Sequence, residues 1–282
     1  MSAAQPPGNG THHLLVVIDP VARRTDGESV RIAKDVLSAG SHAKICLPEG
    51  PEEFARAFSR RGSRRPVVVG DDRTLLRTVA LLHRERELAD EALAFVPVGA
   101  EPALQLASSL GVPLGTVAAA RAALDGAAHR LDLLVDDSDG VVLRTLRIPA
   151  PATGAAAHTG VTAVWDLCRA LVRTLVRPDP PTPPAPPDTH RLRVEADGVL
   201  LNDLDRPVES VAVRAQGGGG LADVVIRTSA GETVTVEAKA VTVSGADFRY
   251  RADIQVGGPV RTRTWTVRAG AWGLMLPVAE SG

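Results

Sequence analysis

The chain has 282 residues, 44% of them hydrophobic and 3% aromatic, and its 32 Lys and Arg against 33 Asp and Glu give a net charge of −1. That length and apolar content suffice for a substantial core in two domains and exclude an intrinsically disordered chain. The even charge balance, with no basic block interleaved with aromatics, excludes a nucleic-acid groove, so no nucleic acid is expected as a partner.

Residues 1–13 carry Pro, Gly, Asn and Gln without a basic cluster and read as a disordered leader. Leu14-Leu15-Val16-Val17-Ile18 is the first apolar run, long enough for a buried strand and far too short for a signal or membrane segment. A cytoplasmic protein is therefore expected. Val30, Ala33, Val36 and Leu37 then recur at helical spacing, with Gly40 as a stop. Residues 43–47 read as the next strand. Pro51 opens a helix whose first turn holds Glu52 and Glu53, where carboxylates complement the dipole. Pro66-Val67-Val68-Val69-Gly70 is a strand buried on both faces, and a helix over 74–87 follows it. A strand at 92–97, helices at 103–110 and 116–124, and a strand at 130–135 complete this alternation of β and α units, which predicts a three-layer parallel sheet.

Beyond Asp136 the character changes. Residues 161–176 carry Val164, Leu167, Cys168, Leu171 and Leu175 on one helical face. Seven of the ten residues from Pro178 to Pro187 are proline, which makes 178–188 an extended loop. From Arg191 on, Leu192-Arg193-Val194, Val211-Ala212-Val213, Val224-Val225-Ile226 and Val234-Thr235-Val236 alternate with turn residues and predict an antiparallel β-sandwich. Gly217 to Gly220 reads as a hairpin connection, because no Lys or Ser/Thr closes it as a phosphate loop. The expected division is an α/β domain over 14–136 and a β-sandwich domain with one inserted helix over 137–282. Trp165, Trp265 and Trp272 are expected as core anchors. Cys46 and Cys168 form no CxxC pair and read as packing residues in a reducing compartment. The seven His show no metal-ligand spacing.

In an open parallel sheet the chemistry sits beyond the carboxyl ends of the strands. Three loops there stand out: Ile18-Asp19-Pro20, Gly70-Asp71-Asp72-Arg73-Thr74 and Pro97-Val98-Gly99-Ala100-Glu101. The second runs straight into a helix, whose free N–H groups attract an anion. In order and position these loops resemble those of the diacylglycerol kinases and their NAD-kinase relatives, which carry N-P before the first helix, GGDGT after a buried strand and P-x-G-T-x-N-D before a later helix. Ser109-Leu110-Gly111-Val112-Pro113 resembles the leucine-glycine turn of that family, and Gly126 to Asp132 resembles its entry into the following strand. Arg251-Ala252-Asp253-Ile254-Gln255 is similar to its V-D-G-E segment. The resemblance covers roughly residues 14–136.

The resemblance implies an NAD-kinase-like domain followed by a lipid-binding β-sandwich, with ATP and Mg²⁺ as cofactors and a lipid as substrate or ligand. It places Asp19, Gly70, Asp71, Asp72, Arg73, Thr74, Gly99 and Ala100 around the nucleotide, Asp72 at the metal and Asp253 as the catalytic base. Peripheral membrane contact and a homodimer are compatible with it. The departures are as informative. Asp71 and Arg73 stand where the family has phosphate-approaching glycines, Ala100 replaces the Thr, and no Asn-Asp follows. Asp71 sets a second carboxylate opposite a polyanion, whereas Arg73 offers a phosphate partner or a bulky plug. Two readings follow. One is an ATP-dependent kinase of diacylglycerol, ceramide or a sphingoid base; the other is a catalytically inactive pseudokinase that binds lipid or regulates. A local reading also stands beside both, in which Asp71, Asp72 and Thr74 cap a helix and Asp253 is a turn residue.

Overall fold

The computed structural model describes residues 13–150 and 189–278. Four strands, β1 (His13–Ile18), β2 (His42–Cys46), β3 (Arg65–Gly70) and β4 (Ala94–Pro97), form a parallel sheet in the order β2-β1-β3-β4. Successive side chains of a strand point to opposite faces, and here both faces are covered. Leu14, Val16 and Ile18 pack with Ala33 and Leu37 of α2 (Gly27–Gly40) and Ala120 of α6 (Thr116–Asp125). Leu15, Val17 and Val68 pack on the other face with Phe54 of α3 (Pro51–Ser59), Leu75 and Val79 of α4 (Asp72–Arg84), and Leu106 of α5 (Gln105–Ser109). A short α1 (Pro20–Thr25) links β1 to α2. The three-layer arrangement read from the sequence is the one observed.

The second half is a ten-stranded antiparallel sheet. It comprises β5 (Ala127–Asp136), β6 (Val141–Val142), β7 (Thr145–Ile148), β8 (Leu192–Ala196), β9 (Val199–Asn202), β10 (Val208–Ala215), β11 (Ala222–Thr228), β12 (Thr233–Ala238), β13 (Ala240–Ala252) and β14 (Gln255–Leu276). The main path runs β12-β11-β10-β7-β13-β14-β5-β6, with β8 on β13 and β9 on β8. Strands on either side of β7, namely β10 and β11 as well as β13 and β14, turn Val211, Val213, Ile226, Val243 and Trp265 into one core. Gly217 to Gly220 connects β10 to β11, as the hairpin reading required. Trp265 and Trp272 are completely buried. The expected helix at 161–176 with its Trp165 and Cys168, the proline-rich loop at 178–188 and most of the leader lie outside the described residues.

One expected element joins a different sheet. The strand expected at 130–135 to close the β–α alternation pairs antiparallel with β14, with Asp136 opposite Trp265 and Ala127 opposite Leu276. Its faces explain why: Leu133 and Val135 enter the core shared with α3 and α4, while Leu134 enters the core of the second sheet. The two sheets are also stitched directly. Leu93 donates to the Gly273 carbonyl at 2.8 Å, and Met275 donates back to the Leu93 carbonyl at 2.9 Å. A side chain at Gly273 would start 3.0 Å from the Cα of Ala92, so the backbones approach closely enough that a Cβ there would press on its neighbour. Among the described residues no helix is long and apolar enough to cross a membrane.

Candidate functional site

The loops that the sequence singled out converge at the carboxyl ends of β1, β3 and β4. Asp19 caps α1, accepting from the Val21 amide at 2.7 Å, and its second oxygen accepts from the Arg77 guanidinium at 2.6 Å. It is 2% exposed. Gly70 ends β3, and a Cβ there would meet the Thr74 side chain at 2.8 Å, so the tight strand-to-helix turn demands glycine. Val98 donates to the Gly70 carbonyl at 2.8 Å and ties the third loop to the second. Gly99, at φ +156°, passes close to the Cβ of Asp71. Ala100 precedes a single 3-10 turn and accepts from the Ala103 amide.

Within the second loop the aspartates divide their work. Asp71 is the cap of α4: one carboxylate oxygen accepts both the amide and the hydroxyl of Thr74, each at 3.0 Å. An anion at the start of a helix relieves its unsatisfied N–H groups and complements its dipole. The carboxylate of Asp71 therefore sits where a phosphate would bind. Asp72 turns inward instead and is 2% exposed. Its two oxygens accept the amides of Leu106 at 2.7 Å and Ala107 at 2.9 Å, capping the start of α5 from 34 residues away. Burial pushes its carboxyl above the ordinary range, opposed by these amides, and the neighbouring Asp71 adds to the upward push. Arg73 is exposed and faces a groove along α4 rather than the turn it belongs to.

Asp253 lies at the turn between β13 and β14 with φ +49°, a left-handed conformation that Asp tolerates better than most side chains. Its carboxylate accepts three successive amides, from Leu143 at 2.6 Å, Arg144 at 3.0 Å and Thr145 at 2.8 Å, and its own amide donates to the Thr145 carbonyl. Burial raises its carboxyl above the ordinary value, the three amides pull it down, and the Asp72 carboxylate adds a repulsion. The structure thus brings Asp72 and Asp253 within electrostatic reach across the junction of the two halves. Beside Asp253 a pocket of about 340 Å³ carries Ser109, Arg144 and Arg214.

A magnesium-bound nucleotide would meet internal competitors at this donor set. The helix start expected to hold phosphate is occupied by Asp71, and each oxygen of the expected metal ligand Asp72 already accepts one buried amide. Ala100 offers no hydroxyl. Asp72, the expected metal ligand, acts in this structure as a clamp between α4 and α5. Sequence reasoning missed Arg77, Arg144 and Arg214. Arg77, one turn beyond Arg73, was open to discovery by helical spacing; Arg144 and Arg214 come from strands that meet only in the folded sheet.

Comparison with solved structures agrees with this geometry at the level of the fold. The chain overlays on a diacylglycerol kinase from Bacillus anthracis with a TM-score of 0.70 at 14% identity, over 95% of this chain and 98% of that one. A second structure from the same organism, described provisionally as a diacylglycerol kinase, overlays with a TM-score of 0.69 at 16% identity over 95% and 98% of the two chains. The fold is thus the two-domain fold of those kinases, and both halves take part. No protein-family model and no curated protein matches the sequence.

Proposed function

We propose that this chain is a ligand-binding protein on a lipid-kinase fold that has lost nucleotide-dependent phosphoryl transfer. The observation that carries the reading is the Asp71 carboxylate seated on the amide and hydroxyl of Thr74. An internal anion at that helix start competes with phosphate without the entropic cost of bringing in a separate molecule, and its charge repels a triphosphate as well. A fold places a site but does not supply its activity, so the likeness to kinases is compatible with a chain that only binds.

The opposing reading is ATP-dependent phosphorylation of a lipid hydroxyl such as that of diacylglycerol, ceramide or a sphingoid base. What favours it is Asp253, a carboxyl held above its ordinary range by burial and facing a pocket with two arginines. Thermal-shift titration with ATP and ADP, with and without magnesium, separates the two. No shift is expected at millimolar nucleotide. A magnesium-dependent rise in Tm would overturn the proposal, because a ligand that binds only the native state stabilises it, and would call for a lipid-substrate screen.

A further inference from the structure

A second cavity, reached from the second loop through Arg73, runs along the outer face of α4. Its volume is about 620 Å³, within the roughly 300–1,000 Å³ typical of small-molecule sites. Arg73, Arg77 and Arg84 line it from one helix, at spacings of four and seven residues that keep them on adjoining faces. From Arg73 to Arg84 the helix advances about 16 Å at ~1.5 Å per residue. Among the described residues no Asp or Glu lines the groove. Arg77 is engaged, bonded to Asp19 and stacked 5.0 Å above the ring of Phe54. Arg73 and Arg84 pair with no carboxylate among the described residues. For a chain of net charge −1, this is a local concentration of positive charge.

The surface between these cations is aliphatic. Ala55 of α3, Ala80 and Leu81 of α4, and Ile254 from the β13–β14 turn supply it. The face of Phe54 is already taken by Arg77, so the groove offers no free aromatic plate on which a nucleobase could stack. A wholly polar anion would leave the aliphatic strip wetted, and a neutral lipid would leave Arg73 and Arg84 unused. The chemistry that satisfies both is an apolar chain with an anionic head.

We propose that this groove is a binding site for a single-chain anionic amphiphile, a carboxylate or phosphate monoester on an acyl chain. The chain would lie against Ala80, Leu81 and Ile254, and the head would pair with Arg73 or Arg84. This inference deepens the non-catalytic reading by naming its ligand class, since the amphiphile is held and not turned over.

The test is saturation binding of oleate and of oleoyl lysophosphatidate, below their micellar concentrations, to the full chain by titration calorimetry. Mono-oleoylglycerol serves as the neutral control and inorganic phosphate as the head alone. Saturable 1:1 binding of the two anions is expected, at least about 10-fold tighter than of the neutral lipid, with no binding of phosphate. R73E combined with R84E should weaken the anions by 10-fold or more. Ala80→Trp should abolish binding by filling the groove, and both variants should retain the parent Tm within a few degrees. Equal affinity for the neutral lipid, indifference to the charge reversal, or binding only of phosphate would each overturn the site. Unsaturable uptake would do so too. The same samples titrated with magnesium and ATP report on the non-catalytic reading independently. A nucleotide-induced shift would sink that reading with the groove result intact, and an empty groove would sink the site while leaving that reading standing.

Discussion

At the scale of single residues, this protein repeatedly uses an aspartate as an internal anion for its own backbone. Asp71 and Asp26 cap helices, Asp72 caps α5 from a distance, and Asp253 gathers three amides of one turn. Asp132, 1% exposed, accepts the amides of Gly220 and Gly270 and so pins the β10–β11 connection onto β14. Each carboxylate satisfies donors that would otherwise be stranded. Asp71→Ala is expected to cost about 0.5–2 kcal/mol, the usual loss for a helix cap, measured by urea denaturation. Combined D71G and R73G should behave differently, because it opens the helix start to an external anion. If the Asp71 carboxylate is what excludes phosphate, this pair should gain a nucleotide-dependent rise in Tm that the parent lacks.

Glycines at this scale separate strict from soft demands. A Cβ at Gly126 would meet the carbonyl oxygens of Ala122 and Leu276 at 2.3 Å, both backbone atoms held by helix and sheet. At Gly40 the nearest atom, at 2.6 Å, belongs to the flexible end of Leu124. Gly126→Ala should therefore destabilise the chain far more than Gly40→Ala, with a Tm difference read from parallel melts; equal losses would mean that the β14 terminus yields as easily as a leucine rotamer.

At the scale of elements, α4 is the hinge of the site. Its first turn holds Asp72, its middle holds Arg77 bonded to Asp19 of the β1 loop, and its outer face carries the groove arginines. The short α5 depends on Asp72, since its cap residue Leu104 provides no side-chain bond. Asp72→Ala would strand two buried amides, at about 1–3 kcal/mol for each unsatisfied donor. The expected outcome is a clear fall in stability, with hydrogen exchange of Leu106 and Ala107 accelerated ahead of the amides of β1. Uniform acceleration across the sheet would mean that the contact supports the whole fold and not α5 alone.

At the scale of the whole molecule, the two halves share one core and meet around the Asp72 and Asp253 carboxyls. Both titrate above their ordinary value near 3.8 in the folded state, chiefly because of burial. As pH falls towards that value, the native state takes up these protons before the unfolded chain does. Their contribution to stability therefore rises on acidification and declines as pH increases through the raised pKa values. The prediction is that the change in stability between neutral pH and about pH 5 contains a component favouring the acid side that D72A combined with D253A removes. An identical pH profile in parent and double variant would rule out this coupling between the halves.

The sequence by itself determined the parallel strands and the main helices of the first half, and the class of architecture. Unbroken apolar runs in Leu14 to Ile18 and Val67 to Val69, and helical spacing in Val30 to Leu37, are local properties that each segment carries wherever it packs. The capping reading of Asp71 was legible for the same reason, as its partner Thr74 is three residues away. The order of the three loops was equally legible, and it led to the kinase fold that the solved structures share. Only the tertiary structure decided what the remaining side chains do. Asp72 meets Leu106 across 34 residues, Arg77 meets Asp19 across 58, and Asp253 meets Leu143 across 110. It also decided that β5 belongs to the second sheet, where its two faces enter different cores. The groove beside α4 is completed by Ile254, which the β13–β14 turn brings against it. Such contacts depend on where distant backbones come to rest, and no local pattern encodes that position.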